Sequence, residues 1–300
     1  MKYIALLSAV SFESEKIPAL LNRVRTKSIA GKTVYLGQLS NVNVLLINTG
    51  IGKVNAAHAA TAVIENFSVQ QVINFGIGGA YPASGLYIGD VAVAAKEIYG
   101  DEGVINSGGW SDMKAIGIPF VQTKNKKFFN EFPNLKNPPI PPLLKGGKKG
   151  LQKERFEDFV IKSGTFVTVS TATGTHKRAI ELEKSFHAIC ENMEGAAIAH
   201  ICTIYNIPML EIRGISNIVG IRDKRKWDIR RASGNCQKVV LESIKYSVAL
   251  DAYREGLISI GKLSEIFRVD EISTRLYLKK KKIPVRVQEK EELAKDIVNV

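Results

Sequence analysis

The sequence offers little that would tie it to a membrane, to a metal or to a disulfide framework. Only three cysteines occur in 300 residues, Cys190, Cys202 and Cys236, and their spacing and odd number suit neither a metal cluster nor paired bridges. A reducing, cytoplasmic setting is therefore expected. No apolar run reaches the length of a membrane-spanning helix. The first such run, Met1 to Val10, gives way at once to Glu13, Glu15 and Lys16, and reads as a buried strand rather than a leader. Nucleotide-phosphate loops, flavin motifs and metal-ligand clusters are also missing, so no cofactor and no metal are expected.

Positive charge is what the chain has in excess, with 42 Lys and Arg against 29 Asp and Glu and a net charge of +13. Much of it sits in two places. One is the stretch from Lys124 to Arg155, with Lys124, Lys126, Lys127, Lys136, Lys145, Lys148, Lys149 and Lys153; the other is the run Lys279 to Lys282. The remainder is closer to neutral, so the total alone does not assign a nucleic-acid partner.

Apolar runs rich in β-branched residues alternate with helical patterns, the order expected of an α/β fold with a sheet flanked by helices. Strands are expected over Tyr3 to Ala9, Thr33 to Leu39, Val42 to Asn48, Gln71 to Phe75, Ile88 to Ala94, Thr165 to Val169, Ala188 to Glu191 and Met209 to Ile215. Helices are expected after Gly52, near Thr175, at Glu194, across Arg23 and Arg25, and from about Arg231 toward Tyr253, where Val239, Val240, Ile244 and Val248 recur at helical spacing.

Between residues 124 and 155 the pattern breaks. Pro138, Pro139, Pro141 and Pro142 and the Gly146-Gly147-Lys148-Lys149-Gly150 tract cannot continue a sheet or helix. A surface insertion is expected there, with a proline-rich recognition motif as the sharper alternative. After residue 250 the character changes again, and short helices separated by glycine suggest a small helix-turn-helix-like unit over 251–300. Arg254-Glu255-Gly256 and Gly261-Lys262-Leu263-Ser264-Glu265 resemble the C-terminal part of a family of small, uncharacterised, antitoxin-like bacterial proteins.

Three glycine-bearing segments follow the strands in order: Thr49-Gly50-Ile51-Gly52, then Asn74-Phe75-Gly76-Ile77-Gly78-Gly79-Ala80, then Gly89-Asp90-Val91. Singly such glycines are more often tight turns than binding loops. In this order, and followed by Asn192-Met193-Glu194-Gly195-Ala196-Ala197, they resemble the nucleoside phosphorylase and nucleosidase superfamily over about residues 1 to 250. The resemblance implies a three-layer nucleosidase domain with a central mixed sheet, a small-molecule purine nucleoside as ligand, and at least a homodimer.

Cleaving an N-glycosidic bond leaves positive charge on the sugar and negative charge on the base, so the site needs a group to activate water, a clamp on the ribose and a donor to the leaving base. By the resemblance Glu194 binds the ribose hydroxyls over an apolar floor made by Met193, and Glu13 activates water. The bland alternatives are a helix N-terminal acid with a core methionine, and an exposed glutamate with Glu15 as its substitute. Adenine-cleaving members carry an aspartate where this chain has Asn217. An asparagine amide can donate to a 6-oxo group and a neighbouring ring nitrogen, which favours hypoxanthine or guanine; a turn-forming Asn is the other reading.

Val169-Ser170-Thr171-Ala172-Thr173-Gly174-Thr175 and Arg213-Gly214-Ile215-Ser216-Asn217, leading to Arg222, Asp223 and Trp227, resemble the futalosine hydrolase branch. Its members release hypoxanthine from a nucleoside with a carboxyphenyl-ketone arm, in menaquinone biosynthesis. Ile77, Gly78, Met193, Ser170, Thr175, Arg213, Arg222 and Trp227 are accordingly the candidate substrate-binding residues, with Glu13, Asn217 and Glu194 as the catalytic set. Arg222 and Trp227 would meet the anionic aromatic arm, unless Arg222 and Asp223 form only a surface ion pair. A carboxylate at Glu13 would repel phosphate and orient water, which favours a hydrolase over a phosphorylase. The alternatives are another purine nucleosidase or phosphorylase of the methylthioadenosine or inosine type, and a nucleoside-sensing regulator whose basic tail binds DNA. For the tail alone, a protein-interaction module or a gene-fusion remnant also remains open.

Overall fold

The computed structural model describes residues 1–134, 153–156, 158–280 and 283–285. The proline- and glycine-rich core of the insertion, residues 137–150, lies outside the described residues, as do Lys281 and Lys282 of the basic run.

The strands are β1 (Tyr3–Ser8), β2 (Asn22–Ile29), β3 (Lys32–Leu39), β4 (Val42–Asn48), β5 (Val69–Ala80) and β6 (Val91–Tyr99). Two short hairpins follow, β7 (Val104–Asn106) with β8 (Gly109–Ser111) and β9 (Val121–Gln122) with β10 (Lys127–Phe128). Then come β11 (Glu131–Pro133), β12 (Lys153–Phe156), β13 (Phe159–Thr168), β14 (Ala188–Asn192) and β15 (Met209–Ile218). The helices are α1 (Lys53–Asn66), α2 (His176–Phe186), α3 (Gly195–Ile204), α4 (Ile229–Glu255), α5 (Ile260–Phe267) and α6 (Glu271–Lys280).

β1 is buried along its whole length because it lies between β4 and β5, parallel to both, with helices over each face. A strand covered on both sides has no polar face, hence the unbroken apolar run. Ala5 and Leu7 face a layer formed by Ala56, Ala60 and Val63 of α1 and Ala196, Ile198 and Cys202 of α3. Ile4 and Leu6 face the opposite layer, formed by Cys236, Val239, Val240 and Ile244 of α4. The result is three layers, helix, mixed sheet and helix, as expected.

The sheet runs β11-β6-β13-β14-β5-β1-β4-β3-β2. β15 pairs parallel with β5 and antiparallel with β6. β5, β14, β13, β6 and β15 therefore close a ring of pairings, and β1, β4, β3 and β2 extend from it as an open wing.

Two expectations are corrected. Arg23 and Arg25 lie on a strand, β2, not on a helix. Among the described residues β2 pairs only with β3, and seven of its eight residues are exposed, so no apolar alternation marks it as a strand. β6 begins at Val91 rather than Ile88, because Gly89 at φ 94° and Asp90 form a turn in which the Asp90 carboxylate accepts from Tyr87 N at 2.8 Å and Val160 N at 2.9 Å.

α4 is continuous through residue 250. Its first half covers the sheet, while Tyr246, Ala249, Leu250 and Tyr253 form a second core with Ile260, Leu263, Phe267 and Leu278 of α5 and α6. Asp228 caps its start by accepting from Arg231 N at 2.9 Å, and Gly256 at φ 78° ends it. Among the described residues no helix is long and apolar enough to cross a membrane.

α4 approaches the sheet tightly at Gly214, where an added Cβ would lie 2.0 Å from the Ala232 carbonyl oxygen. Backbone cannot yield as a side-chain tip can, so Gly214→Ala should lower stability by about 1–3 kcal/mol. A urea melt checks this, and an unchanged midpoint would contradict the close packing of β15 on α4.

Candidate active site

The site is built at the ends of β1, β14 and β15 and along the C-terminal half of β5. After β1 the chain makes a 3₁₀ turn over Ser11–Glu13 that folds Glu13 back on the strand it leaves. Glu13 Oε2 accepts from the N–H of Ala9 at 2.9 Å and of Val10 at 3.1 Å. Asn48 Nδ2 donates to Ser8 Oγ at 2.7 Å and Ser14 Oγ at 2.9 Å, and Ser233 Oγ donates to Phe12 O at 2.9 Å, so β4 and α4 both hold the turn. Glu13 is only 3% exposed, whereas Glu15 is exposed and outside the cluster.

Glu13 Oε1 reaches across to β5 and accepts from Ile77 N at 2.8 Å. A Cβ at position 76 would lie 2.3 Å from that oxygen, so only glycine admits the carboxylate. Gly78 and Gly79 have the same explanation: their missing side chains leave room for Cys190 Sγ and Val219 Cγ2, at 2.7 and 2.8 Å from the added Cβ positions. These glycines thus belong to β5, which runs to Ala80, and serve close approach rather than a turn. Gly78 is buried, with its carbonyl accepting from Ser216 Oγ at 3.3 Å.

Glu194 stands at the N-terminus of α3. Its Oε1 accepts from Gly52 N, at the start of α1, at 3.0 Å, and its Oε2 lies 3.5 Å from Arg213 Nη1. Arg213 is 1% exposed, and it donates from Nε to Glu211 Oε1 at 2.9 Å and from Nη1 to Ile77 O at 3.3 Å. Burial alone would lower its pKa, but the charges of Glu211, Glu194 and Glu13 outweigh this and hold it above its ordinary value. Burial pushes Glu13 above the usual carboxylate range; Arg213 and the backbone donors oppose the shift, and Glu194 adds to it.

Ile77 thus connects Glu13 to Arg213, and Arg213 connects to Glu194. Asn217 lies four residues beyond Arg213 on β15, opposite Gly79 in the β15–β5 register. It is half-buried, its Oδ1 accepts from Ser216 Oγ at 2.8 Å, and its Nδ2 donates to Ile218 O at 3.3 Å. Met193, also half-buried, precedes Glu194.

The other candidates form a second group. Thr175 caps α2 by accepting from Arg178 N at 3.3 Å, and its carbonyl packs on Gly220. Arg222 lies over the Trp227 ring at 5.1 Å and packs against Gly174. The alternative, an ion pair of Arg222 with Asp223, does not form, because the Asp223 carboxylate takes both Nε and Nη2 of Arg225 at 2.9 Å. Ser170 is exposed and donates its N–H to Asp101.

Sequence reasoning missed three buried acids. Glu191 accepts from Thr173 N at 3.0 Å, Thr173 Oγ1 at 2.6 Å and Tyr81 O–H at 3.1 Å, which anchors the 170–175 loop. Glu97 and Glu211 lie behind Glu194 with no exposed surface. The available signal was a charged residue inside an apolar strand, which is rarely buried without a partner. A separate cavity of about 390 Å³ opens at the start of α4, lined by Lys16, Asp228, Arg230, Arg231, Gly234, Asn235 and Lys238, and contains none of the candidate residues. Among the described residues no group of three or more His, Cys, Asp or Glu is placed to hold a metal ion.

Residues 3–245 match the profile of the family described as the phosphorylase superfamily. The chain belongs to that superfamily. Residues 230–300 also match a family described only as uncharacterised (UPF0175). Futalosine hydrolase of Thermus thermophilus is 30% identical over 194 residues, 65% of this chain and 78% of the relative. The 5′-methylthioadenosine/S-adenosylhomocysteine nucleosidase of Halalkalibacterium halodurans is 27% identical over 252 residues, 80% and 97% of the two chains. Among solved structures, the nucleosidase of Colwellia psychrerythraea in complex with adenine superposes with a TM-score of 0.64 at 26% identity, covering 82% of this chain and 95% of that one. The Neisseria meningitidis enzyme in complex with methylthio-immucillin-A gives 0.66 at 25% identity, covering 82% and 99%.

Removing the guanidinium would leave buried carboxylates without their counter-charge. Arg213→Ala should therefore destabilise the fold by about 3–5 kcal/mol. The native carboxyls would then hold protons to higher pH than the unfolded chain does, so the deficit should grow as pH rises from 5 to 8. Urea unfolding across that range measures it; a small, pH-independent loss would mean that Arg213 does not balance these acids.

Proposed function

We propose that this chain hydrolyses the N-glycosidic bond of a 6-oxopurine nucleoside, with futalosine as the leading substrate and hypoxanthine as the base released, a step of menaquinone biosynthesis. The coarser activity, that of a nucleosidase, is shared by the relatives named above. The observation that carries the finer reading is Asn217: with Oδ1 engaged by Ser216 and one N–H donated to Ile218 O, its amide keeps a second N–H for the base, which suits a 6-oxo group or ring nitrogen and cannot protonate adenine.

In this reading Glu13 takes the proton of a water whose oxygen bonds to C1′. Three backbone N–H groups occupy part of its acceptor capacity and fix its direction, and a carboxylate has room for one more partner. Glu194 binds the ribose hydroxyls and opposes the positive charge that develops on the sugar. Phosphate fits poorly, since Arg213 stands among the charges of Glu211, Glu194 and Glu13, and Arg25, on the remote β2, donates to Tyr3 O–H at 3.2 Å. Arg222 stacked on Trp227 supplies a cation and an aromatic wall for the arm of the substrate.

A second reading is a methylthioadenosine/S-adenosylhomocysteine nucleosidase, favoured by the 97% coverage of the Halalkalibacterium relative. Purified protein incubated with futalosine, inosine or methylthioadenosine, with and without phosphate, separates the two. Phosphate-independent hypoxanthine release from futalosine is expected, and faster adenine release from methylthioadenosine would replace the first reading with the second. Glu13→Gln should lower kcat about 100- to 10,000-fold while nucleoside still binds. The acid limb of kcat/KM should lie above pH 4.5, because Glu13 must be ionised and burial raises its pKa; a limb below that value would remove Glu13 as the base. Asn217→Asp should shift the futalosine-to-methylthioadenosine preference toward adenine by about tenfold or more, and an unmoved ratio would detach Asn217 from the base.

A further inference from the structure

Behind the candidate site, two carboxyl groups with no exposed surface meet where α3 begins. Glu97 comes from β6 and Glu211 from β15. A Cβ on Gly195 would lie 2.2 Å from Glu97 Oε1 and 2.4 and 2.5 Å from the two oxygens of Glu211, so both carboxyls press on the bare backbone of that glycine. Glu211 Oε1 is taken by Arg213 Nε, while Glu211 Oε2 is buried and, among the described residues, reached by no N–H or hydroxyl. Glu97 Oε1 accepts from Asn192 Nδ2 at 2.8 Å, and Oε2 accepts from Thr168 Oγ1 at 2.8 Å. A hydroxyl at Glu97 Oε1 can donate to the orphan oxygen of Glu211 while still accepting from Asn192.

We propose that Glu97 and Glu211 share one proton and that the pair positions Glu194 from two sides, through its backbone and through its side chain. On the backbone side, Asn192, held by Glu97, accepts with Oδ1 from the N–H of Glu194 at 3.0 Å and of Gly195 at 2.7 Å. On the side-chain side, Glu211 holds Arg213, which lies 3.5 Å from Glu194 Oε2. The positioning role rests on the reading of Glu194 as the ribose-binding carboxylate; the shared proton does not.

The charges around the pair fit a single proton. Glu211 and Arg213 face Glu97 from β15, Cys190 from β14 and Tyr99 from its own strand, while Glu194 stands at the start of α3. Burial and the Glu211 charge hold Glu97 well above the carboxylate range; burial also raises Glu211, against the pull of Arg213. Two ionised carboxylates in contact here would share one guanidinium with Glu13 and Glu194 as well. The pair is acid and carboxylate, with Glu97 the donor.

Substitution by glutamine distinguishes the two members. In Glu211→Gln the amide nitrogen donates to an ionised Glu97, which keeps its bonds to Asn192 and Thr168, and the pair carries the same single negative charge without a proton. In Glu97→Gln the amide either donates to Glu211 and faces Asn192 Nδ2 donor to donor, or turns round and leaves Glu211 Oε2 unpaired. The full chain, Glu97→Gln and Glu211→Gln are unfolded in urea between pH 5 and 8. In the unaltered chain the native state retains a proton that the unfolded state loses, so this pair lowers the folding constant up to tenfold per pH unit as pH rises. Glu211→Gln should lack that contribution, and an unchanged slope overturns the shared proton.

With the nucleoside cleaved fastest, Glu97→Gln should lose about tenfold or more in kcat/KM at neutral pH, the scale of a misplaced substrate-binding group. Glu211→Gln should lose less and should hold its activity to higher pH than the unaltered chain; the reverse order overturns the positioning role. Should Glu97→Gln fail to fold, the pH slope and the alkaline activity of Glu211→Gln decide. A chain that cleaves no purine nucleoside defeats the proposed function and the positioning role, while the unfolding slope still decides the shared proton by itself.

Discussion

A guanidinium withdrawn from water amid acids is the constraint on which the site depends. Arg213 has almost no exposed surface, and burial of a charge is tolerated only when its partners are close and well oriented. Glu211, Glu194 and the Ile77 carbonyl serve its Nε and Nη1 at 2.9, 3.5 and 3.3 Å, while Nη2 has no hydrogen-bond partner among the described residues. Each partner comes from a different part of the chain, so fixing one cation registers β15, α3 and β5 against one another. Glu13 joins through the N–H of the same Ile77 residue whose carbonyl takes the guanidinium.

Periodicity revealed the parts of the fold that have two unlike faces or two equally buried ones. β1, β3 and β4 fall within a residue of their expected bounds, and α1 to α4 begin within about two residues of the expected positions, because a cap or a glycine marks the change of period. β2 was hidden because an exposed edge strand carries no burial pattern, and its polar residues also suit a helix surface. The extension of β5 through Gly76, Gly78 and Gly79 was hidden for another reason. Glycine after a strand ordinarily signals a turn, and what it admits here, the Glu13 carboxylate, Cys190 and Val219, lies far away in sequence.

The site was legible to the same degree. Glu13, Arg213 and Glu194 could be named because their segments resemble a known superfamily, and the structure gathers them about Ile77. Arg222 and Trp227 could be named as a cation and an aromatic wall, but their mutual stacking depends on a loop geometry that spacing does not encode. Glu97, Glu191 and Glu211 lacked any such aid. A charge inside an apolar strand was the one hint, and the partners that bury it lie elsewhere in the linear order.

The long helix α4 carries a consequence for how the last part of the chain is attached. Its first half lies on the nucleosidase sheet and its second half supplies Tyr246, Ala249, Leu250 and Tyr253 to the core of the extension. The junction is a stiff rod in place of a tether. Whatever surface α5 and α6 present is carried at a set heading from the sheet, as a vane is carried on its shaft.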